Sequence, residues 1–100
     1  MLVAVIYRPR NPPPSELMPQ LVQGMAEWTS RYQDRMETAY FFAGGGGFGV
    51  IDIDDSAELQ RILAEHPFTP FADVEIRPVV DPGTALKTLQ QAFAARAQTG

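Results

Sequence analysis

The sequence predicts an α+β fold of order β-α-β-β-α-β: a ferredoxin-like antiparallel sheet carrying both main helices on one face, with an extra C-terminal helix. Three observations predict it. Residues 48–80, FGVIDIDDSAELQRILAEHPFTPFADVEIRPVV, read as a strand, a capped helix, a Pro-aromatic turn and a second strand. Four glycines, Gly44 to Gly47, join two strand-like segments and supply the positive φ values a hairpin loop demands. Between the first strand and that hairpin, Leu17, Leu21, Met25, Trp28 and Tyr32 recur at steps of four, four, three and four. That is one continuous apolar stripe on a helix.

The elements follow in order. Residues 1–8 read as a strand with Val3, Val5 and Tyr7 on one face and Leu2, Ala4 and Ile6 on the other. Two apolar faces predict a central strand covered on both sides. The stretch PRNPPP, 9–14, is stiff and cannot join a ladder. Ser15 is the expected N-cap of a helix reaching about Asp34, with Pro19 tolerated in its first turn. Gly24 inside it costs roughly 1 kcal/mol relative to Ala and is read as close packing against the sheet. Residues 36–43 and 48–53 form the second and third strands. Asp55 or Ser56 caps the next helix, and Glu58, three residues after Asp55, fits a capping box. Leu59, Ile62 and Leu63 give that helix its stripe, and Pro67 and Pro70 end it. From 71 to 77, Ala72, Val74 and Ile76 face the helices, while Phe71, Asp73, Glu75 and Arg77 face away. Asp81-Pro82 starts a last helix with Ala85, Leu86, Leu89, Ala92 and Phe93 on its apolar face, fraying over 97–100.

One hundred residues make one domain, 1–100. Hydrophobic residues at 45% and charged residues at 20% describe a globular, soluble chain. A net charge of −4 without any basic run argues against nucleic acid. The absence of cysteine excludes disulfides, thiolate catalysis and zinc-thiolate sites. The apolar start is too short for a signal peptide or membrane span, so a cytoplasmic protein with no membrane partner is expected. Aromatic and apolar residues on the second and third strands make a bare sheet face costly. Packing two sheets face to face, as a dimeric α/β barrel, covers it. The terminal helix then has surface left to join neighbouring subunits or close a barrel end.

The 48–80 segment resembles the corresponding part of muconolactone isomerases. The shared features are an aromatic-started strand ending in Asp52, then Ser56-Ala57-Glu58-Leu59 and Ile62-Leu63. Pro67, Pro70 with Phe71, and Asp73-Val74-Glu75-Ile76 with Pro78 complete the match. The opening Met1-Leu2 strand and Ala43-Gly44 also fit, although the N-terminal half matches only loosely. The resemblance implies a cofactor-free isomerase of ferredoxin-like subunits, assembled through dimers into a larger ring-like oligomer. Its reaction would move a proton between carbons of an unsaturated, carboxylated lactone in aromatic-compound degradation. Related barrels include dehalogenases, monooxygenases and polyketide-tailoring enzymes. In that family the first strand carries polar residues toward the cavity, and here Ala4 and Ile6 take those places. The family's helix glutamate, a catalytic candidate, aligns with Met25 once Trp28 and Tyr32 are matched. Glu27 would match only after a two-residue shift that breaks the apolar register.

Proton transfer beside a carbonyl needs a tuned base and a group that stabilises enolate charge. Asp73, Glu75 and Arg77 share a face that would point into the cavity of a sheet-to-sheet dimer. Arg77 is then a carboxylate clamp and an acid beside it the base; the blander reading is a salt-bridge ladder. His66 is the sole histidine and, at its ordinary pKa, titrates near neutral pH; its blander role is to neutralise a helix C-terminus. With no second histidine or acidic cluster at ligand spacing, no metal is expected. Tyr7, Tyr40, Met25 and Trp28 are the candidate substrate pocket, and Arg8 a candidate anion contact. The glycine run leads into a strand, so it reads as a flap at a cavity mouth and not as a phosphate cradle. The expected function is a cofactor-free proton transfer or ring rearrangement on a small unsaturated lactone or carbonyl compound, by a homodimer or larger homo-oligomer. The alternatives are a non-catalytic ligand-binding or assembly barrel and a cofactor-independent monooxygenase.

Overall fold

The computed structural model describes residues 1–99. Strands β1 (Leu2–Pro9), β2 (Met36–Phe41), β3 (Gly47–Asp52) and β4 (Ala72–Pro78) alternate with helices α1 (Met18–Tyr32), α2 (Ser56–Glu65) and α3 (Pro82–Thr99). The sheet runs β2-β3-β1-β4, antiparallel at every junction. That is the expected ferredoxin-like architecture, with β1 central. No helix is long and apolar enough to cross a membrane among the described residues.

Alternation along the strands decides the layers. Val3, Val5 and Tyr7 on β1, Ile51 on β3 and the following Ile53 are buried with Trp28 of α1 and Ile62 of α2. Burying each such side chain contributes about 1.5–3 kcal/mol. Trp28 also donates from Nε1 to the Ile62 carbonyl oxygen at 2.9 Å, tying α1 to α2. The opposite face of β1, carrying Leu2, Ala4 and Ile6, is only partly shielded. Within one chain, then, a single face of the central strand is covered.

Several local expectations change. Pro9 does enter the sheet, opposite Ala72, as the last residue of β1; a strand end tolerates proline because the ladder stops there. The 15–34 helix is broken into a 3-10 turn (Ser15–Leu17), α1, and a second 3-10 turn (Gln33–Arg35). Ser15 caps nothing; neither the first turn nor α1 has a side-chain cap. Gly24 lies against Pro67, whose side chain would be 3.5 Å from an added Cβ, and not against the sheet. Phe71 closes a 3-10 turn (Thr69–Phe71) ahead of β4.

Other caps hold. Asp55 is the N-cap of α2 and accepts from the Glu58 amide at 2.8 Å. The Glu58 carboxylate does not close a capping box; it meets the Arg35 guanidinium. Asp81 caps α3, accepting from the Thr84 amide at 2.9 Å and its hydroxyl at 2.7 Å. α3 runs unbroken to Thr99, so no fraying shows from 97 onward, and Gly100 lies outside the described residues. This helix stands off the body, stretching the molecule to 64 × 25 × 22 Å.

Candidate active site

Between the covered sheet face and the helices lies a cavity of about 570 Å³. Val5 and Tyr7 form its floor, Met25, Trp28 and Thr29 of α1 one wall, and Leu63, His66 and Phe68 another. The 9–13 loop, Phe41 and the glycine hairpin border its mouth. Glycine is obligatory at one hairpin position. Gly46 has φ +82°, and an added Cβ would sit 2.2 Å from the Tyr7 carbonyl oxygen. The hairpin closes through Phe42 N–H to Gly46 O at 2.9 Å and Gly45 N–H to Phe42 O at 3.0 Å. Gly45, Gly46 and Gly47 are among the residues lining the cavity.

His66 is the C-cap residue of α2 and is 6% exposed. Its ring stacks on Tyr7, centroids 4.0 Å apart and 16° between planes, and meets Trp28 edge-on at 4.6 Å. The Phe68 amide donates to Nδ1 at 3.1 Å. Burial among these rings lowers its pKa to about 4, because desolvation penalises the charged form. The ring is therefore neutral at pH 7, neither titrating there nor compensating a helix end. With Nδ1 accepting, its proton sits on Nε2. Among the described residues no side chain or carbonyl accepts from that N–H.

Tyr7 is anchored as firmly. The Thr69 hydroxyl donates to the Leu63 carbonyl at 2.7 Å, so the 3.0 Å contact between Tyr7 Oη and Thr69 Oγ1 is a donation from tyrosine. Burial pushes the Tyr7 pKa up. Tyr7 on the cavity floor and His66 in its wall are thus both held uncharged.

The cavity brings together Tyr7, Met25, Trp28, Tyr40 and His66 from the candidate residues. Tyr40 touches it only from the β2 edge: through Phe48 it is in register with Ile6, so its exposed ring lies on the open sheet face, resting on Phe48 at 5.9 Å. Met25, not Glu27, faces the cavity; Glu27 pairs with Gln23 along the outside of α1. Asp73, Glu75, Arg77 and Arg8 are not brought there. Register places Glu75 opposite Ile6 and Arg77 opposite Ala4, on the open sheet face. Arg8 donates to Glu75 at 2.7 Å, Arg10 to Asp73 at 3.1 Å, and Arg77 to Glu75. Arg77, and after it Arg8, hold the Glu75 carboxyl below its ordinary range. Ala4 and Ile6 share that face, so they do not line the cavity either. Phe41, one of the strand aromatics read as pocket candidates, lines it as well, and the loop 11–13, Phe68, Thr69 and Phe71 complete the site unannounced by the sequence. Their only signal was position: each follows a strand or helix end at the same edge of the sheet.

The fold is ferredoxin-like, β-α-β-β-α-β, with an added C-terminal helix. Residues 1–93 match the model of the family described as Domain of unknown function (DUF3303), and the chain belongs to that family. No curated protein matches it by sequence. Among solved structures it is similar to muconolactone isomerase, with TM-score 0.67 and 24% identity over 82% of this chain and 92% of that one. It is also similar to 5-chloro-2-hydroxyhydroquinone dehydrochlorinase (TftG) from Burkholderia phenoliruptrix AC1100, solved in complex with 2,5-dihydroxybenzoquinone. There the TM-score is 0.65 and identity 15%, over 84% of this chain and 98% of that one.

Proposed function

We propose that this chain is a cofactor-free enzyme that binds a small, flat, uncharged cyclic carbonyl compound, an unsaturated lactone or a quinone, and promotes proton transfer or ring rearrangement in it. The observation that carries this reading is the neutral His66, its Nε2–H left without a protein partner beside an apolar cavity. Such a donor, held rigid by stacking on Tyr7 and by the Phe68 amide, suits a carbonyl oxygen that gains negative charge as an adjacent C–H or O–H proton leaves. Low dielectric around it strengthens that bond. The two structural relatives, named for an isomerase and a dehydrochlorinase, support a ring-carbonyl substrate.

Charge defines what the site takes. No Asp, Glu, Lys or Arg is among the residues lining the cavity. A carboxylate clamp by Arg77, and Asp73 or Glu75 as base, are therefore set aside in favour of His66, with Tyr7, Met25 and Trp28 shaping the substrate pocket. The proton would pass through the substrate's own oxygen or a water at the mouth. Since no strong base lines the cavity, a second reading is a binding module that holds the same ligands without turning them over.

The test is incubation with an uncharged unsaturated lactone, α-angelica lactone, in deuterated water, followed by proton NMR. Solvent exchange or turnover that falls at least 100-fold in His66→Phe supports the enzyme. Binding of this ligand with neither exchange nor turnover supports the binding module instead.

A further inference from the structure

The terminal helix α3 leaves the body with its apolar stripe uncovered: Leu86, Leu89 and Phe93 are 59%, 52% and 62% exposed. A matching feature lies on α1. Val22, Ala26, Thr29, Ser30 and Gln33 line a groove bounded across from them by Phe41 and Phe68. Val22 and Phe41 are 57% and 77% exposed. The small side chains of Ala26, Thr29 and Ser30 let a second helix axis approach closely, and the larger residues either side form the ridges it would sit between.

We propose that α3 of one copy lies in the α1 groove of a second copy and forms the missing wall of that copy's cavity. The groove and the cavity share Met25, Thr29, Phe41 and Phe68, so whatever fills the first closes the second. Topology argues for a second copy over the same chain. β4 leaves the sheet where Pro78 pairs with Val3, and the Val79 amide is still bonded to Leu2 O. The groove's Phe41 lies at the other end, where Gly47 joins it to Tyr7. Only Val80 separates Val79 from the capping Asp81, which leaves no chain for a reversal. Charge favours docking of α3 on the body of a chain of this composition. Residues 82–100 carry Lys87 and Arg96 and no acid, whereas residues 1–81 carry six basic and twelve acidic side chains. A basic helix from one copy meets an acidic body in another.

The inference rests on the groove and α3, not on the proposed reaction, and its test measures no turnover. The chain has no cysteine and a single tryptophan, Trp28, in the cavity wall. Full-length Ala26→Cys and Leu89→Cys variants are mixed and treated with a short bismaleimide, and acrylamide quenching of Trp28 is read in parallel. Expected is a cross-linked species of twice the chain mass. Adding Phe93→Glu should cut its yield at least tenfold and at least double the quenching constant. Phe93→Met should preserve both, and an unchanged far-ultraviolet circular dichroism spectrum shows that each variant is folded. Cross-linking confined within one chain, in an Ala26→Cys/Leu89→Cys double variant, overturns the second copy. No cross-link in the mixture overturns the groove. Trp28 quenching unmoved by Phe93→Glu overturns closure of the cavity.

Discussion

The Tyr7 and His66 rings lie parallel, 4.0 Å apart, one on the central strand and the other at the end of α2. This stack joins sheet to helix layer and holds the imidazole where it is neutral. The rings around it are Tyr7, Trp28 and Phe68, and the desolvation they impose is what lowers its pKa.

The pH dependence of stability follows. His66 binds its proton at about 4 when folded and near 6.5 when unfolded. Between those values the unfolded chain holds more protons, so stability rises with pH through that window. Its full value is reached above about pH 6.5 and is lost as pH falls toward 4. The integrated effect is roughly 2–3 kcal/mol. Urea unfolding of the native chain from pH 7 to 4.5 should show this decline, and His66→Phe should flatten it.

Trp28→Phe should destabilise by about 1–3 kcal/mol. The change removes the Nε1–H donor from the Ile62 carbonyl oxygen at a buried site. A lower urea midpoint at unchanged slope is the expected result.

Gly46→Ala should cost more than Gly44→Ala. The first puts a Cβ 2.2 Å from the Tyr7 carbonyl at φ +82°, whereas an added Cβ at Gly44 meets nothing within 4 Å. About 2 kcal/mol or more is expected for Gly46, from left-handed backbone and clash together, and under ~1 kcal/mol for Gly44. Paired thermal melts measure the difference.

Arg35→Ala should destabilise by about 1–3 kcal/mol, since the mostly buried Glu58 carboxylate loses its cation. Adding Glu58→Gln to that variant should recover part of the loss, because a neutral amide is cheaper to leave there. Denaturant titration of the three variants tests it.

Glu75→Gln and Arg77→Ala should leave ligand affinity for the cavity within twofold of the native chain. Both residues lie on the other side of the sheet, in a solvent-exposed ladder. Calorimetric titration with the uncharged α-angelica lactone checks this; a tenfold loss would return them to the site.

Much of the architecture was legible because it is local. The apolar steps from Leu17 to Tyr32, the Asp55 and Asp81 caps, the glycine hairpin and the alternation around Val74 each act over a few residues. Where reading failed, a distant group had intervened. Gly24 was read as a contact with the sheet, but Pro67 is its neighbour. Glu58 was read as half of a capping box, but Arg35 reaches it from before β2. The site was legible only in part for the same reason. Tyr7, Met25, Trp28 and His66 could be named as candidates, but alternation alone does not say which face of the sheet the helices cover. Asp73, Glu75 and Arg77 looked like chemistry because they share a strand face.

The sequence by itself determined the order of the elements, the caps that start α2 and α3, and the apolar stripes that turn α1 and α2 inward. Periodicity and chain stereochemistry suffice for these. Only tertiary structure decided that the cavity lies between sheet and helices, and that His66 enters it without charge. Burial and the bond from Phe68 set that ionisation state, and both depend on residues brought together by the folded chain.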